Sequence, residues 1–437
     1  MLKLRPATVV EVRQAHDRLE TSVRGGSAAA AEQRLVIELT GGEHAGARRD
    51  AIADVSLVGP AQVGDEVIVN TLALDLGLGS GGFDIVHVNL TRGLAGAAPP
   101  GAHVMKLCYT SLQHAVRPAE AAAQPGAPAS AADGAPASLA LLLGRPAAVL
   151  ALHGQLPALA WAFAQAAPGS KLGYVQTEGG ALPGGHSRTV RVLRERGLLA
   201  GHLTAGAAFG GEAEAVTLAG ALHHGLRVLG WDAAVCGPGP GIVGSGTPLG
   251  HGGMQALDSA HVALALGCRT LLVARMSSGE RRERHRGISH HTLTVLDLLL
   301  EPVTVALPAG VRSPVGSDLR AGLQSVFGGA MPSRPAAGGR AALAVEVQRP
   351  ARIARHDWRR ATIDLPAYAG SALPATTMGR GLVEDPLFFA AALAGGAVLA
   401  ELALEGPDAA DGEPPALAEG APARSAAEPA PAEAESA

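Results

Sequence analysis

The sequence predicts an α/β protein, a mostly parallel doubly wound sheet preceded by a small N-terminal β domain. Three observations predict it. From Ala7 to about Leu90, short β-like runs alternate with glycine-rich or charged turns. From Ala147 to Val347 the hydrophobic period switches repeatedly between that of a strand and that of a helix, the pattern of βαβ units. The conspicuous glycine-rich and polar motifs follow directly after the strand-like runs, so in a parallel sheet they share its carboxyl edge.

The β domain is assigned to residues 1–116 and read as barrel-like. Its runs are ATVVEV, RLVIEL, SLVG, DEVIVNTLAL and DIVHVNL, with a Gly64-Asp65 turn before an alternating strand. Residues 117–138 are Ala, Pro and Gly with almost no large apolar side chain, and are expected to form a disordered linker. The α/β domain spans 139–350. Its candidate strands are AAVLAL (147–152), KLGYVQT (171–177), AGHLT (200–204), DAAVC (232–236), RTLLVAR (269–275), VTVALP (303–308) and LAVEV (343–347). The clearest helical face runs from Glu212 to Leu229, with His223 and His224 expected beside it in solvent. Residues 351–405 are read as a C-terminal helical extension. Its apolar stretch Leu387 to Ala400 is too short for a bilayer span and reads as a buried helix. Residues 406–437, rich in Ala, Pro and Glu, are expected to be a disordered acidic tail.

At 437 residues the chain is expected to form about two to three units. Only 3% of residues are aromatic against 47% apolar overall, so small side chains build the core and close backbone approach is expected. A net charge of −4 gives no reason to expect a nucleic-acid or membrane partner, while a homo-oligomer stays open. Lysines are only three among 35 basic residues, a bias we read as GC-rich coding rather than recognition. Cys108, Cys236 and Cys268 are odd in number and lack a CxxC, which argues against disulfides and structural zinc. With no apolar leader visible, a cytoplasmic location is expected.

The site is expected where the post-strand segments converge. After the fourth strand, GPGPGIVGSGTPLGHGG places Gly239, Gly241 and Gly244 in a GxGxxG pattern, but Pro248 and further glycines delay the helix. A standard dinucleotide mode is therefore doubtful. The backbone can still turn several N–H groups toward an anion, with Ser245, Gly246 and Thr247 beside it; the alternative is a tight connecting turn. After the fifth strand, Arg275 and the segment RRERHRGISHHT bring Arg281, Arg284, His285, His290 and His291 together. Arginine with histidine suits an anion. The same guanidinium groups oppose a divalent cation, and adjacent His290 and His291 would point about 100° apart on a helix, so no metal is assigned. The alternative there is a solvated, salt-bridged turn.

His153, directly after a strand, and Thr204, at the end of one, join the ligand-binding set. His290, His291 and Glu178 are the candidates for proton transfer. Glu178 could equally be a helix-start carboxylate, and for Glu212 that reading is preferred. Cys236 is read as a buried thiol. No GxSxG, GxxxxGK[ST] or HExxH occurs, which removes the main support for serine hydrolases, P-loop proteins and zincins.

The succession MKLCYTSLQ, LHGQL, YVQTEGGALP, LTAGAAFGGEAEAV, GPGPGIVGSGTPLG, RHRGISHHT and TTMGRGL resembles a bacterial family of unknown function, DUF3866, over all but the linker and tail. The resemblance implies no activity, cofactor or catalytic residue. From the residues, the expected function is binding, and transformation by a transferase or hydrolase, of a phosphorylated or carboxylated small molecule at the carboxyl edge of the sheet. The competing readings are a ligand sensor or protein-interaction module without turnover, and a metal-dependent hydrolase.

Overall fold

A computed structural model describes residues 1–13, 32–78, 81–94, 96, 98–121, 141–309 and 350–406. Strands β1 (Leu4–Arg13), β2 (Glu32–Leu39), β3 (Arg48–Asp54), β4 (Glu66–Asn70) and β5 (Asp84–Asn89) close a barrel in the order β1-β2-β3-β5-β4. Only β3 and β5 pair in parallel, the topology of an OB-type barrel. Val9, Leu35, Ile37, Val67 and Val69 fill its interior. The Gly64-Asp65 turn is present: Gly64 has φ +92°, and the buried Asp65 accepts from Asn89 and Arg92. Two expected runs differ. SLVG belongs to a helical turn, Val55–Val58, because Asp54 caps it by accepting from the Ser56 amide. The end of DEVIVNTLAL likewise turns into the helix Leu72–Asp75, while β3 forms from RRDAIAD, which lies outside the expected runs.

The barrel ends well before residue 116. The hairpin of β6 (Val104–Lys106) and β7 (His114–Val116) is pinned to the α/β unit by the buried Lys106, whose ammonium sits 2.7 Å from Glu214 and donates to the Ala208 carbonyl. The first residues of the expected linker pack on the α/β unit. Pro118 bridges to Glu214, Ala119 is buried, and Glu120 accepts from the amides of Val216 and Thr217. The remainder of 117–138 lies outside the described residues, as do LAVEV and the tail from residue 407.

The main sheet has eight strands, β8 (Pro146–Leu150), β9 (Leu172–Thr177), β10 (Gly201–Ala205), β11 (Ala213–Ala215), β12 (Ala233–Pro238), β13 (Arg269–Val273), β16 (Thr304–Ala309) and β17 (Asp357–Thr362). After β13 a short antiparallel ribbon, β14 (Met276–Ser277) with β15 (Gly287–Ile288), stands apart from this sheet. The order is β11-β10-β9-β12-β8-β13-β16-β17, and every neighbouring pair is parallel. The doubly wound expectation holds. Strands buried on both faces read as continuous apolar runs, which is why β8 and β12 are legible as strands.

One face carries α1 (Leu156–Ala166), α2 (Arg188–Glu195) and a long C-terminal helix, Pro386–Leu404; the other carries α3 (Leu218–His223), α4 (Gln255–Ala265) and α5 (His290–Leu298). We number the long helix α6. Its mean hydropathy is 2.1, high enough and over enough residues to cross a membrane, but it is mostly buried against α1 and the sheet, as a core helix.

Two helical expectations change. The span from Glu212 begins with β11, and α3 starts only where Thr217 accepts from the Gly220 amide; a π-turn, His224–Val228, then continues it. Apolar spacing of three and four fits β11 poorly, yet the strand's backbone groups find a ready partner in β10. His224 is buried rather than solvated. The stretch 351–405 is no mere extension: it supplies β17, and α6 completes one face of the core.

Candidate functional site

Strand β8 sits between β12 and β13, and the chain leaves it toward α1 on one face while β12 and β13 lead to α4 and α5 on the other. Such a reversal opens a crevice at the carboxyl ends. Gln155, just after β8, ties the crevice floor by accepting from the Leu152 amide and donating to the Ala274 carbonyl at 3.1 Å.

Four imidazoles collect there. His285, His290 and His291 follow β13, while His251 arrives from the loop after β12. That loop turns back on itself: Ser245 donates its amide to the Gly250 carbonyl, the Gly250 and Gly252 amides go to Thr247 Oγ1 and the Val243 carbonyl, and Gly244 bridges to His251. Gly241 and Gly246 take φ of +76° and +81°, where a side chain would be strained. The loop's amides at Ser245, Gly250 and Gly252 are thus spent internally. The loop delivers His251, which lies stacked on His291 with ring centroids 3.4 Å apart.

His290 and His291 open α5, where Ser289 caps the helix by accepting from the His291 amide. Their ring centroids are 4.3 Å apart and their planes 69°. At a first turn no preceding turn restricts χ1, so neighbouring side chains can converge despite the helical angle between them. The ribbon of β14 with β15 folds His285 back to 4.7 Å from His290 and 4.8 Å from His291. His285 Nδ1 meets Ser289 Oγ at 2.7 Å. Neither ring nitrogen of His290 has a protein partner, although the residue is only 4% exposed.

Arg275, 5% exposed, donates from Nη1 to His291 Nδ1 at 2.9 Å. Burial lowers its guanidinium to about 10, and Arg282 adds to the effect, so it stays cationic at neutral pH. Burial, then the surrounding arginines, push His285 down to about 3 and His290 to about 4; His291 falls further and His251 is lowered by burial as well. All four rings are neutral at physiological pH.

The carboxylates nearby are committed. Glu280 meets Arg282 at 2.8 Å, Arg380 at 3.4 Å and Arg275 at 3.9 Å, and its carboxyl is held to about 2, first by the hydrogen bond from Arg282. Asp385, fully buried before α6, accepts from Ser277 Oγ at 2.6 Å and from the Ser278 and Gly279 amides, and faces Arg380 at 3.2 Å.

Of the residues singled out from sequence, Arg275, His285, His290 and His291 come together. Arg281 and Arg284 are exposed on the same segment. His153 belongs to a separate buried network: Nε2 meets Ser187 Oγ at 2.8 Å, Nδ1 meets the Pro238 carbonyl, and burial lowers it to about 4. Thr204 donates to Glu214, inside the Lys106 anchor. Glu178 is exposed and accepts from the Ala207 amide. Glu212 pairs with Arg194. Cys236 is fully buried, which raises its thiol. Gly239 packs against the Ala181 carbonyl, so a Cβ there would collide. Ser245 and Thr247 hydrogen-bond each other.

His251, Arg380 and Asp385 were missed, while Glu280 and Arg282 were read only as charges of the run 280–286. His251 stands alone among glycines, and Arg380 and Asp385 return about 100 residues later, so no local spacing could join them to the cluster; the family-like TTMGRGL was the only signal. A family model described as a protein of unknown function (DUF3866) matches residues 50–396. No curated protein and no solved structure matches the chain.

Proposed function

For a chain that belongs to the DUF3866 family, we propose the binding of a small anionic molecule, phosphorylated or carboxylated, at the carboxyl edge of the parallel sheet beside the end of β8. One observation carries the reading: His290, buried and without a protein partner, lies in the field of Arg275, Arg282 and Arg284, while the nearby carboxylates are already engaged. A low-dielectric site with surplus positive charge favours a negative occupant.

The donors suit one. Because Arg275 can only donate, His291 Nδ1 must accept, which leaves His291 Nε2 carrying the proton and able to donate. His290 offers a donor and an acceptor, and is the group best placed to pass a proton if the ligand is transformed. Glu178 has no part in this reading. The three cysteines are unpaired, which suits the reducing cytoplasmic setting expected from the sequence.

The test is thermal denaturation of the full chain with inorganic phosphate, pyrophosphate and small dicarboxylates, at low and high salt. At least one should raise Tm by mass action, with an apparent affinity that falls as salt rises. Arg284→Ala, an exposed change, should weaken the same ligand several-fold. If no anion shifts Tm, or Arg284→Ala leaves the affinity unchanged, the reading fails.

A further inference from the structure

We infer that His285, His290 and His291 form a site for a divalent transition-metal ion, with His251 beside it. The ligand nitrogens of the first three lie within 4.8 Å of one another, and the residues are 1%, 4% and 8% exposed. Two imidazoles on one tetrahedral ion, with bonds of about 2.0 Å, have ring centroids about 5 Å apart. The observed 4.3, 4.7 and 4.8 Å fit that arrangement with small ring rotations.

The second observation is unsatisfied hydrogen-bonding capacity. Both nitrogens of His290 are buried without a partner, and so is His251 Nδ1. Burying such groups without a partner is unfavourable. An ion would take up the lone-pair nitrogen of His290, leaving its N–H to donate to a ligand or water.

The tautomers agree. His251 Nε2 faces the Pro248 carbonyl at 3.1 Å and must donate, so its lone pair sits on the unpartnered Nδ1. Ser289 Oγ at His285 Nδ1 supplies the outer hydrogen bond typical of a metal-bound imidazole and leaves Nε2 for the ion. The His291 Nδ1 lone pair is already held by a cation, Arg275. A metal ion replaces that guanidinium, whose Nη2 lies 3.9 Å from Glu280 Oε2 and can close on it.

Imidazole donors without a carboxylate select zinc, cobalt, nickel or copper over magnesium or calcium. The arginines oppose a bare cation, which the sequence pattern had already suggested. They become compatible with it once an anion fills the remaining coordination position; this last point alone rests on the proposed function.

The test starts from full-length protein stripped with a chelator and titrated with cobalt(II), then zinc(II), in chloride buffer, where the halide can fill the open position, and again with added phosphate. One equivalent of cobalt should bind with the intense visible absorption of a four- or five-coordinate nitrogen site. His290→Ala and His285→Ala should each weaken uptake by about 100-fold or more, as loss of a first ligand exceeds the 10–100-fold range known for outer partners. The exposed-barrel control His44→Ala should not. Arg275→Gln should tighten binding, since it frees His291 Nδ1 and removes a charge. Tm of each variant in chelator separates lost binding from lost fold. Substoichiometric cobalt in the wild type, or uptake unchanged in both histidine variants, overturns the site. Phosphate stabilising metal-free protein that takes up no cobalt would leave the anion reading standing alone. Stoichiometric cobalt with no anion effect would leave only the metal.

Discussion

Glu280 faces three guanidinium groups, from Arg275, Arg282 and Arg380, at distances of 3.9 Å or less. Removing one partner of a buried charge cluster leaves the others uncompensated, at a cost of about 3–5 kcal/mol. Glu280→Gln should therefore lower the urea-unfolding free energy at pH 7 by roughly 3 kcal/mol. Its carboxyl is depressed from 4.5 to about 2, so this stabilisation is complete above pH 4.5 and is lost as pH falls toward 2. Wild type and variant should converge at the acid end; a difference that stays constant with pH would refute the ion-pair account. The same residue shows how far the sequence could be read. Arg275, His285, His290 and His291 were found because strand ends and clustering reveal a shared edge. Glu280 was seen only as a charge in a run. Position after a strand says nothing of where a side chain turns, and so His153, Thr204 and Glu178 share the edge while bonding to Ser187, Glu214 and the Ala207 amide instead.

Helices α1 and α6 meet through glycine. A Cβ on Gly396 would fall against the Leu159 carbonyl oxygen and close to Ala162, although glycine inside a helix is otherwise a weakness. Gly396→Ala should destabilise by about 1–3 kcal/mol, reversing the gain of up to about 1 kcal/mol expected from helix propensity. Gly370→Ala, where nothing lies within 4 Å, is the matched control and should be neutral or slightly stabilising in the same thermal melt. If both changes behave alike, helix contact is not what requires glycine at 396. Trp231 extends the argument to strands and to the π-turn: Cβ atoms on Gly173 of β9, Gly201 of β10 and Gly225 of the turn would all collide with its ring. The scarcity of aromatics announced close backbone packing, but which glycines meet the one buried tryptophan was beyond reach. Element type failed where backbone pairing overrode side-chain pattern, as in β11 and in the exposed edge strand β17, whose DWRRAT lacks apolar alternation.

Across the whole molecule, buried neutral histidines set the response to acid. Burial lowers His153 to about 4 and His202 to about 3, against about 6.5 in an unfolded chain. The unfolded state binds the extra protons, so stability is flat above pH 6.5 and falls as pH drops from 6.5 toward 4, by up to about 1.4 kcal/mol per pH unit for each such group. His202 stacks on Tyr174 with one ring nitrogen unpartnered. His202→Leu should therefore show a shallower decline in urea midpoint between pH 6.5 and 4, relative to its own value at pH 8; parallel declines would show that His202 is not among the responsible groups. Below that range a further loss is expected. Burial would raise the Asp54 carboxyl, but hydrogen bonds from His186 and Ser56 hold it below 3.8, and the Asp54–His186 pair joins the barrel to the loop after β9. The fold class and the barrel-like N-terminal unit were legible because hydrophobic period is a global signal; the number and order of strands in the main sheet were not, since both depend on pairings between distant segments. Strand order also dictates a schedule. The barrel's five strands are complete within residues 4–89, whereas the central β8 needs β12 and β13, and the face it shares with α1 is not fully covered until α6 at 386–404. During synthesis the barrel can close early, while the half-built sheet must wait with an apolar face open until nearly every described residue has left the ribosome.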